Sequence, residues 1–266
     1  MSRLEAIFKT NKKVLVTFVT GCDPDYDTSL EVLKQISNNG SHICEIGFYN
    51  AEAAADGPVI SRACERASKA GGELFKVIEL ASDLRKFNSE VAIVLMGYIS
   101  NIFQHGIEKF AEDIAKAGVD AVLVVDLPEE AREEKQLREA LNKKKISLIK
   151  LVAPNTTDEL IKKTASIASG FIYSLNIKGI SGTKKADKSD VEALYKKIKQ
   201  NTNLPVCAGF GISTPEEAKQ ISETGVNGVV VGSRLISIIE ENLGKNKQII
   251  AQKVSDYVKK ISEQIS

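Results

Sequence analysis

The sequence predicts a single-domain (β/α)8 barrel, and three observations support this fold class. The chain has 266 residues, a normal length for one α/β barrel. Short apolar runs rich in β-branched residues recur along it, separated by stretches with helical periodicity. These runs are almost continuously apolar, which is typical of parallel strands covered on both faces. No composition break or linker divides the chain, so we expect one domain over residues 1–266.

Eight runs are predicted as strands. They are Val14–Thr20, Ile43–Gly47, Ala92–Met96, Ala121–Val125, Ser147–Val152, Phe171–Ser174, Pro205–Ala208 and Gly228–Val231. Helices are predicted between them, with clear end signals. The stretch Ile107–Ala117 ends at Gly118, a natural C-cap position, and Thr214 precedes a first-turn proline and two acids. An open doubly wound sheet is the alternative, but no G-x-G-x-x-G fingerprint follows the first strand.

Composition, charge and cysteine spacing argue against several classes of function. The formal net charge is +1, which gives no field to attract nucleic acid or an acidic membrane surface. The four cysteines show no C-x-x-C spacing, so a metal site is not expected, and Cys44 and Cys207 are predicted to be small buried hydrophobes. No apolar run reaches the length of a membrane span, and the N-terminus lacks a signal segment. A cytoplasmic location is the resulting expectation.

Glycine-rich turns follow the last three predicted strands. Gly182 lies after the sixth strand, Gly209, Phe210 and Gly211 follow the seventh, and Gly232 and Ser233 follow the eighth. Glycine lets backbone N–H groups approach an anion, and a helix starting near Ser233 would add its dipole. These glycines could instead only form tight turns. Their recurrence after three consecutive strands favours a phosphate site, since barrel enzymes often bind phosphate there.

Two carboxylates are candidate catalytic groups. Glu45 lies near the end of the second strand, and alternation places it on the same face as Ile43 and Gly47, toward the barrel interior. Burial there would raise its pKa into the range of an acid/base catalyst, although a Glu paired with a cation is the alternative. Asp56 lies on a Gly-Pro turn, where it could equally be a turn former.

For the other polar and aromatic residues near strand ends, we interpret the role first as structural. Asp23 and Asp126 are expected to be helix caps or turn formers, and His42 and His105 to be structural or surface residues. Three aromatic residues could line a ring pocket but are core residues by default: Phe18, Tyr98 and Tyr173.

Taken in order, these segments resemble the alpha subunit of tryptophan synthase over essentially the whole chain. The segments are Phe18-Val19-Thr20 with Asp23-Pro24, Glu45-Ile46-Gly47, Ala55-Asp56-Gly57-Pro58, Val94 to Tyr98, Ala117-Gly118-Val119-Asp120, Asp126-Leu127-Pro128, Leu151-Val152-Ala153-Pro154, Gly179-Ile180-Ser181-Gly182-Thr183, Gly209 to Pro215 and Gly228 to Ser233.

The resemblance implies cleavage of indole-3-glycerol phosphate to indole and glyceraldehyde 3-phosphate without a cofactor. It implies that Glu45 protonates the indole ring, that Asp56 holds the indole N–H, and that Ser181 orients the aspartate where the family usually has threonine. It also implies phosphate binding by the glycine-rich turns and an indole pocket lined by Phe18, Tyr98 and Tyr173.

The resemblance further implies a beta subunit as partner in an alpha2-beta2 complex. The loops after strands two and three, at residues 48–54 and 97–101, depart from the usual family pattern. Because the family's loops there face the beta subunit, the departures predict an altered or lost partnership.

Three other functions remain open at this point. The chain could be a catalytically weak activator of a beta subunit, or a stand-alone or engineered lyase. A phosphosugar isomerase or aldolase is the third. The lack of a lysine at the end of the sixth predicted strand disfavours a Schiff-base aldolase, and only Lys150 in the fifth strand keeps it open.

Overall fold

The computed structural model of the chain describes residues 1–50, 56–175, 187–209 and 211–265. Eight parallel strands form a closed barrel in the order β1 to β8, which confirms the predicted fold class and excludes the open sheet. The strands are β1 (Val14–Thr20), β2 (Ile43–Gly47), β3 (Ala92–Gly97), β4 (Ala121–Val124), β5 (Ser147–Val152), β6 (Ile172–Leu175), β7 (Val206–Gly209) and β8 (Gly228–Val231).

Helices surround the barrel. Those in the described residues are α1 (Arg3–Thr10), α2 (Tyr26–Asn38), α3 (Pro58–Lys69), α4 (Leu74–Phe87), α5 (Ile99–His105), α6 (Ile107–Lys116), α7 (Arg132–Lys143), α8 (Asp158–Ile167), α9 (Lys188–Lys199), α10 (Pro215–Ser222), α11 (Ser233–Glu240) and α12 (Lys247–Ile265). The predicted end signals are confirmed: Gly118 has φ +75° after α6, and the Thr214 hydroxyl accepts a hydrogen bond from the N–H of Glu217 in α10.

The side chains of the strands form two layers of the core, one between the barrel and the helices and one inside the barrel. Alternate residues such as Cys44 and Ile46 face the helices, where they join the largest apolar cluster. The intervening residues fill the barrel, as Ile43, Val94 and Cys207 do. Cys44 and Cys207 are both fully buried, as predicted.

Strand pairing fixes which residues reach the carboxyl end of the barrel together. Phe18 of β1 lies opposite Glu45 of β2, and Glu45 lies opposite Val94 of β3. On the other side, Tyr173 of β6 lies opposite Cys207 of β7. These registers bring Phe18, Glu45 and Tyr173 to the part of the interior where barrel enzymes carry out their chemistry.

Candidate active site

An apolar cavity opens at the carboxyl end of the barrel. The space inside it and its open mouth together amount to about 910 Å³. Its lining residues come from strand ends and the loops that follow them: Phe18, Asp56, Ile60, Met96, Val125, Leu151, Tyr173, Leu175, Gly209, Gly211, Ile212, Val230, Gly232 and Ser233.

Two aromatic rings define the walls of this cavity, and glycines make room for them. A Cβ on Gly47 would lie 2.9 Å from the Phe18 ring, and one on Gly232 would lie 3.0 Å from the same ring. A Cβ on Gly209 would lie 2.2 Å from the hydroxyl oxygen of Tyr173. Glycine at these three positions therefore leaves the space that the two rings occupy.

Glu45 is fully buried beside the cavity. It lies between Phe18, its strand neighbour, and Tyr173, whose hydroxyl pKa is raised by burial and by the charge of Glu45. Among the described residues, neither carboxylate oxygen of Glu45 has a hydrogen-bond partner. Burial raises the pKa of Glu45 to about 8, so the group is mostly protonated at neutral pH. The alternative of a Glu paired with a cation finds no support in these contacts.

Asp56 lies at the cavity rim, immediately before α3. The Tyr98 hydroxyl donates a hydrogen bond of 3.3 Å to Oδ1, and the Cys64 thiol donates one of 3.7 Å to Oδ2. Burial raises the pKa of Asp56, while these two donors oppose the rise. Tyr98 lies in an inner recess with Asp56 and Phe18, next to the main cavity.

The part of the cavity lined by the start of α11 is suited to an anion. Gly232 precedes α11, and the first N–H groups of that helix have no intrahelical acceptor because hydrogen bonding begins with Leu235 to the Gly232 carbonyl. The Gly232–Ser233 end of the helix faces the cavity together with Gly211, around which a Cβ would find open space. Free N–H groups and a helix dipole directed at a cavity are typical of phosphate sites.

The predicted residues thus largely converge on one place. Phe18, Asp56, Tyr173, Gly209, Gly211, Gly232 and Ser233 line the cavity, and Tyr98 lines the inner recess. Glu45 is not part of the lining and is buried next to two residues that are, Phe18 and Tyr173. Ser181, Gly182 and Phe210 lie outside the described residues. The sequence analysis missed the apolar lining of Ile60, Met96, Val125, Leu151, Leu175, Ile212 and Val230. Strand alternation carried to the last residue of each strand would have identified Met96, Leu151 and Val230.

Asp23 differs from its predicted role as a helix cap or turn former. Asp25 caps α2, whereas the buried Asp23 carboxylate forms a two-pronged ion pair with Arg66 of α3, at 2.7 and 2.9 Å. Arg66 also reaches Glu240 of α11 at 3.0 Å. A buried carboxylate needs such a partner, and no pattern near Asp23 in the sequence indicates which cation supplies it.

The other strand-end residues have the structural roles expected of them. Asp126 accepts a hydrogen bond from the N–H of Ile99, the first residue of α5. His42 accepts one from the N–H of Leu15 through Nδ1, and His105 pairs with Asp113.

Lys150 is not placed for Schiff-base chemistry in the cavity. Its neighbours Ile149 and Leu151 face the barrel interior, so Lys150 points toward the helices, and its Nζ donates a hydrogen bond of 3.2 Å to the Leu127 carbonyl. This orientation removes the observation that favoured an aldolase.

The described residues contain neither a metal-binding cluster nor a membrane-spanning helix. Within residues 1–50, 56–175, 187–209 and 211–265, no group of three or more His, Cys, Asp or Glu side chains could hold a metal ion. In the same ranges, no helix combines the length and apolar character needed to cross a bilayer.

Comparison with known proteins agrees with the geometry. The sequence profile of the family described as tryptophan synthase alpha chain matches residues 4–266. The chain is 43% identical to the tryptophan synthase alpha chain of Desulfatibacillum aliphaticivorans, over 90% of this chain and 89% of that one. It is 39% identical to that of Gluconobacter oxydans, over 98% and 97% of the two chains.

A solved structure also resembles this chain in both fold and sequence. Tryptophan synthase subunit alpha from Legionella pneumophila superimposes with a TM-score of 0.90 at 30% identity, covering 100% of this chain and 98% of that one. A profile match over nearly the whole chain, close relatives of full length and a shared barrel agree with one another. The chain therefore belongs to the tryptophan synthase alpha chain family.

Proposed function

We propose that this chain is a carbon–carbon lyase that cleaves indole-3-glycerol phosphate to indole and glyceraldehyde 3-phosphate in tryptophan biosynthesis. The observation that carries the proposal is the buried Glu45, which has no hydrogen-bond partner among the described residues, next to residues of an apolar cavity that is also lined by Asp56 and by a helix N-terminus. Family membership supports the same substrate.

Glu45 supplies the proton. With its pKa near 8, the neutral acid can protonate the indole carbon that bears the glycerol chain. Asp56 then lies beside the ring nitrogen, where its charge stabilises the positive charge that develops on the ring. Once the glycerol hydroxyl next to the ring loses its proton, the bond between ring and chain breaks. Its electrons return to the indole, and the carbonyl of glyceraldehyde 3-phosphate forms. The Glu45 carboxylate left by the first step can accept that hydroxyl proton.

The phosphate is assigned to the glycine-rich side. Gly209, Gly211, Gly232 and Ser233 surround it in the proposal, with Gly182 and Phe210 added from outside the described residues. The backbone donors at the start of α11 support this assignment. Phe18 and Tyr173 then hold the indole ring, Tyr98 acts through Asp56, and Ser181 is assigned the orientation of Asp56 in the closed site.

Indole release from indole-3-glycerol phosphate tests the function directly. We expect Glu45→Gln to lower the rate by at least about 100-fold, because glutamine cannot donate the proton. Glu139→Gln, a change at an exposed glutamate of α7, is the matched control and should retain the parental rate. No indole from the parent chain, with or without a beta subunit, would refute the proposed activity.

We also propose that the chain assembles with a beta subunit in an alpha2-beta2 complex in the cytoplasm. Phe103 of α5, in the connection after β3, is 45% exposed, which suits an apolar contact. Nothing in the described residues supports a weakened partnership. Phe103→Asp should abolish co-elution with a beta subunit, whereas Phe87→Asp, at an equally exposed phenylalanine of α4, should not. Equal co-elution of both variants would contradict this surface.

A further inference from the structure

Cys64 is a buried cysteine placed against a proposed catalytic group. It lies in α3, eight residues after Asp56, on the face of the helix that turns toward the barrel. Its thiol is 3.7 Å from Oδ2 of Asp56, a hydrogen-bond distance for sulfur. It lines the inner recess that also contains Phe18, Asp56 and Tyr98.

The direction of this hydrogen bond follows from the state of the thiol. Burial, and next the charge of Asp56, raise the pKa of Cys64 to about 12. The sulfur therefore keeps its proton at neutral pH, and the S–H group donates a hydrogen bond to the carboxylate. Within the described residues, Asp56 then has one donor on each oxygen, the Tyr98 hydroxyl on Oδ1 and the Cys64 thiol on Oδ2.

Two donors on opposite oxygens fix the plane of a carboxylate, which one donor cannot do. Among the described residues, Cys64 of α3 and Tyr98 are the donors that contact the Asp56 carboxylate. The plane matters because an oxygen must face the ring nitrogen as charge develops there.

On the basis of the proposed lyase activity, we propose that Cys64 is a positioning residue, whose thiol donates to Oδ2 of Asp56 and holds this carboxylate ionised and oriented toward the indole nitrogen. The alternative is that Cys64 only fills space in the recess. A side chain of similar volume without a donor would then replace it without effect.

Other ionisable groups face this contact among the described residues. They are Tyr98, Asp23, which acts on Cys64 through its charge, and Tyr49, Glu65 and Lys69, which line the outer groove that Asp56 and Cys64 share. All of them are retained in the variants below, so a change in the titration of Asp56 reports the lost thiol.

The kinetic test compares Cys64→Val, which keeps the approximate volume, with Cys64→Ser, which keeps a donor. For the valine variant we expect kcat/KM for indole-3-glycerol phosphate to fall about three- to tenfold, the effect of one lost hydrogen bond. The acidic limb of its pH profile should move to higher pH, because a donor that favours the carboxylate has been removed. The serine variant should restore both. Cys22→Ser, at a buried cysteine elsewhere, is the matched control and should leave the profile unchanged.

A second measurement does not depend on activity. The carboxyl carbon of Asp56, followed by NMR during a pH titration, should titrate at higher pH in Cys64→Val than in the parent and in Cys64→Ser. Equal midpoints in all three would overturn the proposal even if the parent releases indole. A shifted midpoint in a chain that releases no indole would instead uphold the contact and reject the lyase. Thermal melting checks folding, and Cys64→Ala replaces Cys64→Val if the latter does not fold.

Discussion

At the scale of single residues, Glu45 combines complete burial with no hydrogen-bond partner among the described residues. Its pKa rises from an ordinary 4.5 to about 8, so the folded state binds the proton more tightly than the unfolded chain does. The stability that Glu45 contributes is therefore complete below about pH 4.5 and is lost as the pH rises through about 8.

Glu45→Gln should remove this dependence, because glutamine is neutral at every pH. Relative to the parent, the free energy of unfolding of the variant should increase with pH by up to about 1.4 kcal/mol per pH unit inside that window. Urea denaturation of both proteins at several pH values measures the difference. A difference that does not change with pH would show that Glu45 is not held protonated by burial.

Gly209 is a second residue whose role can be isolated. A Cβ there would lie 2.2 Å from the Tyr173 hydroxyl oxygen, which is too close without movement of the ring, whereas a Cβ on Gly211 meets nothing within 4 Å. Gly209→Ala should destabilise the fold by about 1–3 kcal/mol, and Gly211→Ala should do so far less. Thermal melting of the two variants makes the comparison. Equal losses would indicate backbone conformation, and not the ring, as the reason for glycine at position 209.

At the scale of elements, one ion-pair cluster joins three segments around the cavity. Arg66 of α3 connects Asp23, in the connection after β1, with Glu240 of α11. Asp56 lies just before α3, and α11 begins at the proposed phosphate site, so this cluster fixes the two sides of the cavity relative to each other. Asp23 is 1% exposed and cannot exchange Arg66 for water.

Arg66→Met should destabilise the protein by about 3 kcal/mol, since it leaves a buried carboxylate without its cation. Burial raises the pKa of Asp23, and the hydrogen bonds and charge of Arg66 oppose that rise, so this pKa rises further in the variant and part of the stability returns on acidification. Arg62→Met is the matched control. Arg62 also pairs with Glu240 but is half exposed, and its loss should change stability little. Chemical denaturation at neutral and mildly acidic pH separates the two variants, and similar losses would contradict the buried-charge explanation.

At the scale of the whole molecule, the sequence predicted the barrel well because each strand is apolar on both faces. Every strand end fell within about one residue of its predicted position, as β3, which extends to Gly97, illustrates. Long-range polar contacts could not be predicted in this way. Arg66 lies 43 residues from Asp23, and no local pattern indicates that they meet. The same holds for the contact of Tyr98 with Asp56, which required the folded positions of β3 and α3.

A reciprocal pair of hydrogen bonds recurs at the amino end of every second strand of the barrel. A side chain just before the next strand accepts a hydrogen bond from a backbone N–H near the start of β1, β3, β5 and β7. The four pairs are His42 with Leu15, Asp120 with Ile93, Ser169 with Leu148, and Asn227 with Val206. In each pair the backbone N–H of the accepting residue bonds back to the carbonyl of its partner. The similar segments Gly118-Val119-Asp120 and Gly225-Val226-Asn227 supply two of these four accepting residues.

Because these hydrogen-bond pairs lie at the opposite end of the barrel from the cavity, they should affect the stability of the fold and not the catalytic activity. Asn227→Ala leaves the N–H of Val206 without its acceptor and should cost about 1–3 kcal/mol of unfolding free energy, with kcat/KM for indole release unchanged. Asn227→Asp keeps an accepting oxygen and should recover most of the loss. Denaturation and the indole assay on the same three proteins test both parts. If the fall in kcat/KM, expressed as a free energy, equals the loss of unfolding free energy, the two ends of the barrel are coupled. The amino end of β7 would then determine the position of Gly209 at its carboxyl end.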